Sequence, residues 1–157
     1  NADEREVAER RRSAEGGDGT AAYWLGVWYE HGRMGLSIDD RRCFLWYKKG
    51  ADLGNPFAMT KCAVRYMNGQ GIARNETLAI FYFTRAAEAR SMLACYMLGH
   101  FFAVGLHGLN KDETEAKRWF GRLPRCSFVN DDCPDVLKEA AREWLRRKGE
   151  MRDSGDV

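Results

Sequence analysis

Three histidines, five cysteines and a short acidic run are the side chains of this 157-residue chain whose types could do chemistry. His31, His100 and His107 could act as bases or metal ligands. None of them stands in an HExxH pattern, however, and neither a GxSxG nucleophile turn nor a phosphate-cradling glycine loop occurs in the chain. The expectation is therefore no catalytic residue, no metal site and no cofactor. Asp131, Asp132 and Asp135 cluster ahead of an amphipathic stretch. A cation could sit there, but acids at a helix start are the ordinary response to its dipole, and that reading is favoured. His107 falls in a turn and is assigned to solvent. Cys43, Cys62, Cys95, Cys126 and Cys133 make no CxxC pair and show no zinc spacing. Cys126 and Cys133 could bridge a loop, whereas Cys43 and Cys62 occupy apolar positions and read as small buried groups. The odd total and irregular spacing lean towards a reducing compartment. Against that, Asn75, Glu76 and Thr77 form an N-glycosylation sequon, although a helix-capping role explains Asn75 equally well.

Composition narrows the classes further. Lys and Arg number 25 against 23 Asp and Glu, and the formal charge of +2 is too small to be the footprint of a nucleic-acid or anionic-lipid binder. Arg outnumbers Lys 18 to 7, but its runs at Arg10 to Arg12 and Arg146 to Lys148 sit among acids and read as solvated helix faces. The longest apolar run, residues 93–106, is too short to span a bilayer and is interrupted by His100, so it reads as a buried helix. Ala occurs 18 times against 15 for Val, Ile and Thr together, a bias towards helix. The chain begins at Asn1 without a signal-peptide pattern, which reads as a processed product or an excised piece. Its length fits one domain.

The elements that must position these residues repeat along the chain. Leu25, Cys62 and Leu98 stand 37 and 36 apart; Trp46, Tyr82 and Trp119 stand 36 and 37 apart. Two registers held this well imply three copies of one structural unit. Each copy divides into two helical patterns about a glycine-containing turn, HGRMG, NGQG or VGLHG. In the leading helix Ala21, Leu25, Gly26 and Tyr29 share one face, as do Ala58, Cys62, Ala63 and Tyr66, then Ala94, Leu98, Gly99 and Phe102. The small residue at Gly26, Ala63 and Gly99 should admit the second helix closely. Trailing helices are expected to start at Asp39, Asn75 and Asp112, with Glu115 completing a capping box. The organisation is a single helical-repeat domain over 1–157: an N-terminal half-repeat or cap over 2–17, repeats over 18–54, 55–90 and 91–125, and a capping helix over 133–149. Pro124 ends the array. The capping helix should turn Val136, Leu137, Ala140, Ala141, Trp144 and Leu145 to one face.

The pattern A-x3-L-G-x2-Y-x2-G, followed by a further Gly, an Asp, an Ala and an aromatic pair before Ala-Ala, resembles the Sel-1-like repeat, a relative of the tetratricopeptide repeat. The resemblance covers about residues 14 to 124. It departs at Cys62 and Ala63, which replace Leu-Gly, at Asn75 for Asp, and in the one residue inserted between the turn glycines of the first and third copies. It implies an all-α fold, an α/α superhelical solenoid of about three hairpins with flanking capping helices. It also implies a non-enzymatic adaptor or scaffold that binds a protein or peptide.

By the same resemblance, a concave groove would be lined by Tyr23, Val27, Glu30 and His31, then Thr60, Val64, Met67 and Asn68, then Tyr96, His100, Ala103 and Val104. This mostly neutral, apolar lining suits an amphipathic helix or apolar strand. Core packing competes with that role for each residue, and for Trp24 and Trp28 packing is favoured. The alternative is an accessory subunit of a large assembly, clamped through its convex face and capping helices, with no nucleic acid bound and no membrane insertion. A secreted, disulfide-rich hydrolase of the same repeat family is the minor alternative.

Overall fold

The computed structural model describes residues 1–125 and 133–149. These form eight α-helices and one 3₁₀ turn, with no strand among the described residues. The helices are α1 (Ala2–Glu15), α2 (Gly19–His31), α3 (Asp40–Asp52), α4 (Pro56–Asn68), α5 (Glu76–Glu88), α6 (Met92–Val104), α7 (Glu113–Arg122) and α8 (Asp135–Arg147). The all-α hairpin class expected from the sequence is what the chain adopts. Contacts divide it into two compact units, Asn1–Ala86 and Ala87–Val157.

Side-chain caps explain where the helices begin. Asp18 accepts from the amides of Thr20 and Ala21, Asn55 from Ala58 and Ser91 from Ala94 ahead of the leading helices. Asp39, Asn75 and Asp112 accept from Arg42, Leu78 and Glu115 ahead of the trailing ones. Each cap satisfies an amide that the helix itself leaves open, for about 1 kcal/mol. The expected capping box at Asp112 is only half formed, because the Asp112 N–H it would use is donated to the Phe102 carbonyl, and the Glu115 carboxylate pairs with Arg118. A reciprocal box does form at Asn1 and Glu4, at the start of α1.

One hydrogen bond recurs in every hairpin. The backbone N–H of the trailing cap donates to the carbonyl of the aromatic residue of the leading helix: Asp39 to Tyr29 at 3.1 Å, Asn75 to Tyr66 at 2.9 Å, Asp112 to Phe102 at 2.8 Å. Between these residues the chain must double back sharply, through a left-handed glycine at Gly32, Gly69 or Gly105. The residue inserted in the first and third turns, Met34 or His107, is itself left-handed at φ 56. In the shorter second turn Gly71 has φ 75, and a Cβ there would stand 2.5 Å from the carbonyl carbon of Asp40, so no side chain fits.

The first unit stacks α1 on α2, α2 on α3 and α3 on α4. Leu25, Cys43, Tyr47, Ala51, Cys62 and Phe83 are wholly buried in it. At about 1.5–3 kcal/mol for each large apolar side chain, such residues supply the main drive to fold. In the second unit α6 packs on α7, and α8 lies against both. Helix α7 stops at Arg122 and Pro124 falls in the 3₁₀ turn Leu123–Arg125, where the array was expected to end. Helix α8 buries Ala141 and Leu145 and sets Trp144 5.2 Å from Phe120. The face expected for α8 is corrected at two positions, since Val136 and Ala140 are exposed. The apolar stripe is narrower than the spacing suggested: it runs as a single seam through half-buried Leu137, buried Ala141, half-buried Trp144 and buried Leu145. Asp135 lies in the first turn of α8, paired with Lys138 rather than capping. Asp131, Asp132 and Cys126, and with Cys126 the possible bridge to Cys133, lie outside the described residues.

Candidate functional site

The candidate site begins with the small residues of the leading helices. At Gly26 the absence of a side chain lets the Tyr47 ring of α3 lie flat against the α2 backbone, and at Gly99 the Phe120 ring of α7 does the same against α6. These rings then carry the aromatic residues of the expected groove. In the first unit Tyr23 stacks on Tyr47 at 5.9 Å and packs against Trp24 at 5.4 Å and Phe57 at 5.7 Å. In the second, Tyr96 packs 5.9 Å from Phe120 and 6.0 Å from His100.

The remaining expected lining residues separate by burial. Val27 and Thr60 are buried, at 8% and 7% exposure, and the Thr60 hydroxyl donates back to the Pro56 carbonyl. Val64, Met67 and Ala103 are half-buried, whereas His31, Asn68 and Val104 are exposed. Trp24 corrects the sequence reading: it is 40% exposed, while Trp28, four residues on, is buried as expected. His107 is corrected in the other direction. Its ring is half-buried and stands edge-on to Phe101 at 4.7 Å, held there by its left-handed backbone.

The unforeseen feature of the site is a polar network around Glu30. Its carboxylate accepts a short hydrogen bond from the Tyr47 hydroxyl and one from Arg65 Nη2 at 3.3 Å. Lys61 Nζ lies 3.6 Å away and His31 Nε2 3.7 Å away. Arg65 Nη1 donates to Asp40 at 3.0 Å, and the guanidinium sits 5.9 Å over the Tyr47 ring. Only 5% of the Arg65 side chain is exposed, so both of its carboxylate partners are needed to offset desolvation. Burial pushes the Glu30 carboxyl up, but the Tyr47 hydrogen bond, the cations Lys61 and Arg65 and the neighbouring His31 ring outweigh it and hold the carboxyl below its usual range. Burial first, then the bond to Glu30, pushes the Tyr47 phenol up. Glu30 is thus a saturated acceptor rather than a free base, and Tyr47 a fixed donor.

The sequence carries a signal for this network. Arg65 stands at the repeat position occupied by Trp28 and Phe101, and a charge at an aromatic core position requires a partner. The thiols of Cys43 and Cys62 are pushed up to about 12, chiefly by burial, which leaves them as apolar filling. Among the described residues no group of three or more His, Cys, Asp or Glu side chains is disposed to hold a metal ion. No described helix is long and apolar enough to cross a membrane.

Hairpins of two helices, closed by the same backbone hydrogen bond and filled at the same registers, define a helical-repeat protein of the solenoid class. The Sel1 repeat profile matches residues 19–55, 56–91 and 93–122, and the chain belongs to the Sel1 repeat family. The crystal structure of a Sel1 repeat protein from Oxalobacter formigenes is similar with a TM-score of 0.74 and 27% identity, covering 89% of this chain and 99% of that one. The structure of c5321, a protective antigen of uropathogenic Escherichia coli displaying the same repeat fold, matches with a TM-score of 0.74 and 26% identity over 89% of this chain and 28% of that chain. Among curated proteins, chitin synthase regulatory factor 2 of Schizosaccharomyces pombe is 30% identical over 61% of this chain and 19% of its own length. The chitin synthase regulator SKT5 of Malassezia restricta is 34% identical over 71% of this chain and 8% of its own length. The chain therefore spans a fifth or less of the curated relatives it matches.

Proposed function

We propose that this chain is a protein-interaction module with no chemistry of its own, holding an apolar-faced peptide or partner segment on its leading-helix face. The observation that carries this reading is the half-exposed cluster of Tyr23, Trp24 and Phe57, fixed from below by Tyr47, whose hydroxyl leads into the Glu30 network with Lys61 and His31. Rigid aromatic side chains with a polar rim are what binding hot spots are made of. Among the described residues the groups with displaced protonation are engaged in packing, helix caps or ion pairs, which favours binding over catalysis. Relatives that regulate chitin synthase make an adaptor in a regulatory assembly the natural context, with a chitin synthase complex as one candidate for it.

The test compares partner capture from the native source by this chain and by a Trp24→Glu, Val64→Glu variant with an unchanged far-UV spectrum. Loss of a competable ligand in the variant supports the reading; undiminished capture refutes it. A second reading, a structural subunit gripped along its trailing helices, is favoured by the exposed apolar residues Leu45 of α3 and Phe81 of α5, 51% and 52% exposed. It predicts salt-resistant co-purifying subunits that the same variant still retains.

A further inference from the structure

Helices α1 and α3 both pack on α2, and a cleft of about 480 Å³ remains at Arg11, Tyr29, Arg42, Leu45, Trp46 and Lys49. Its lining is three cations and three apolar or aromatic side chains, with no carboxylate among them. The cations rest largely on aromatic groups. Arg11 donates to the Tyr29 hydroxyl at 3.4 Å, the Arg42 guanidinium lies 5.9 Å over the Tyr29 ring, and Lys49 Nζ lies 5.9 Å over Trp46. Among the described residues only Arg42 of these three forms an ion pair, with Asp39 at 3.7 Å.

The next junction along the chain shows what such a set of cations holds. One repeat on from Arg11, Tyr29, Leu45, Trp46 and Lys49 stand Lys48, Tyr66, Phe81, Tyr82 and Arg85. There a carboxylate, Asp52, accepts from the Tyr82 hydroxyl at 2.7 Å and pairs with Lys48 at 2.8 Å and Arg85 at 3.9 Å. The residue equivalent to Asp52 at the first junction is Glu15, the last residue of α1. It is exposed and forms no ion pair among the described residues. The first junction thus has the cations of the second, but its own carboxylate forms no pair with them.

We propose that the α1–α3 cleft binds an acidic peptide segment of a protein partner. One carboxylate sits between Arg11 and Lys49, as Asp52 sits between Lys48 and Arg85, and a second reaches Arg42. An apolar side chain between them packs on Leu45 and Trp46. The cleft has room for a few side chains, and three cations in one place against a near-neutral chain argue for a local anionic ligand rather than a membrane or nucleic-acid surface. This site is separate from the leading-helix face, and the two can fail independently.

The probe is a fluorescein-labelled peptide with the core Asp-Glu-Leu-Glu-Asp, titrated with the whole chain. Its control replaces every acid by the corresponding amide. Anisotropy should saturate, with binding weakened by added salt, and the Trp46 indole N–H resonance should shift while that of Trp24 does not. Replacing Arg11→Gln and Lys49→Gln together should weaken binding about tenfold or more, as expected for losing two charge-assisted contacts. The Trp24→Glu, Val64→Glu variant should bind as the parent does. If the double variant loses its native far-UV spectrum, Lys49→Glu alone carries the test. The proposal is overturned by no saturation at about 2 mM peptide, by equal affinity of the amide control or of the double variant, or by a shift confined to Trp24. Binding of phosphatidylserine vesicles without binding of the peptide also overturns it, in favour of a lipid surface.

Discussion

Gly26 offers a quantitative check on how the first hairpin is packed. A Cβ placed there would stand 2.5 Å from Cε1 and 3.0 Å from Cγ of Tyr47, well inside van der Waals contact. The ring cannot withdraw easily: Tyr47 is wholly buried, its hydroxyl is bonded to Glu30, and one face is stacked on Tyr23. Forcing a methyl into such a site costs about 2–3 kcal/mol, the upper part of the overpacking range. Alanine returns about 1 kcal/mol of helix propensity. Gly26→Ala should therefore destabilise the chain by roughly 1–2 kcal/mol on balance. Gly121 of α7 is the matched control, because no atom lies within 4 Å of the Cβ it would gain. Gly121→Ala should stabilise by about 0.5–1 kcal/mol through propensity alone. Urea unfolding of both variants, followed by far-UV circular dichroism at constant m-value, gives the two signs. If Gly26→Ala matches or exceeds the parent in stability, the close approach of Tyr47 to α2 is wrong.

Two further outcomes follow from the Glu30 network and its neighbour at Asp52. Arg65→Met should cost about 3–5 kcal/mol, because it leaves Glu30 and Asp40 without the buried guanidinium, and Glu30→Gln in the same chain should recover part of that loss; an additive double-mutant cycle would contradict the pairing. Burial pushes Glu30 and Asp52 up but is outweighed, at Glu30 by the Tyr47 bond, Lys61, Arg65 and His31, and at Asp52 by Lys48, Tyr82 and Arg85, so both carboxyls lie below their usual range. A depressed folded value means the contribution is complete above the unfolded pKa of about 4 and lost as the pH falls through the folded one, so stability should decline in acid below about pH 4. Glu30→Gln combined with Asp52→Asn should flatten that decline in a pH series of urea midpoints, and an unchanged slope would count against it.

The repeat was legible because its determinants are local and periodic. Leu25, Cys62 and Leu98 keep their spacing since each must reach the same place between two helices, and Asp39, Asn75 and Asp112 keep theirs because each trailing helix needs a cap. The candidate site was only partly legible. Tyr23 and Tyr96 could be placed by register, but the burial of Val27 and the exposure of Trp24 depend on how neighbouring helices cover α2, which helical spacing within one element does not encode. Glu30 was singled out without its partners, since Tyr47 lies 17 residues on and Arg65 35 residues on, in different helices. The face of α8 was drawn too wide for the same reason: amphipathic spacing shows which residues could be covered, and only the helices opposite decide which are.

The polar network also bears on why the repeats stand in this order. At the position of Tyr47 the later repeats carry Phe83 and Phe120, neither with a hydroxyl to give. At the position of Arg65 the other repeats carry Trp28 and Phe101, and at that of Glu30 they carry Met67 and Ala103. The donor, the carboxylate and the guanidinium therefore meet only where the second repeat follows the first. Apolar registers alone would let similar repeats exchange places, because Leu25, Cys62 and Leu98 present nearly interchangeable faces. Any arrangement in which the second repeat packed elsewhere would set Arg65 beside a methyl-bearing side chain in place of Glu30, leaving only the carboxylate equivalent to Asp40, Glu76 or Glu113, to offset its desolvation. A polar group in an otherwise apolar seam adds little net stability but raises the cost of the wrong pairing, so exchanging the order of the first two repeats should destabilise the chain more than Glu30→Gln does in a comparison of urea midpoints.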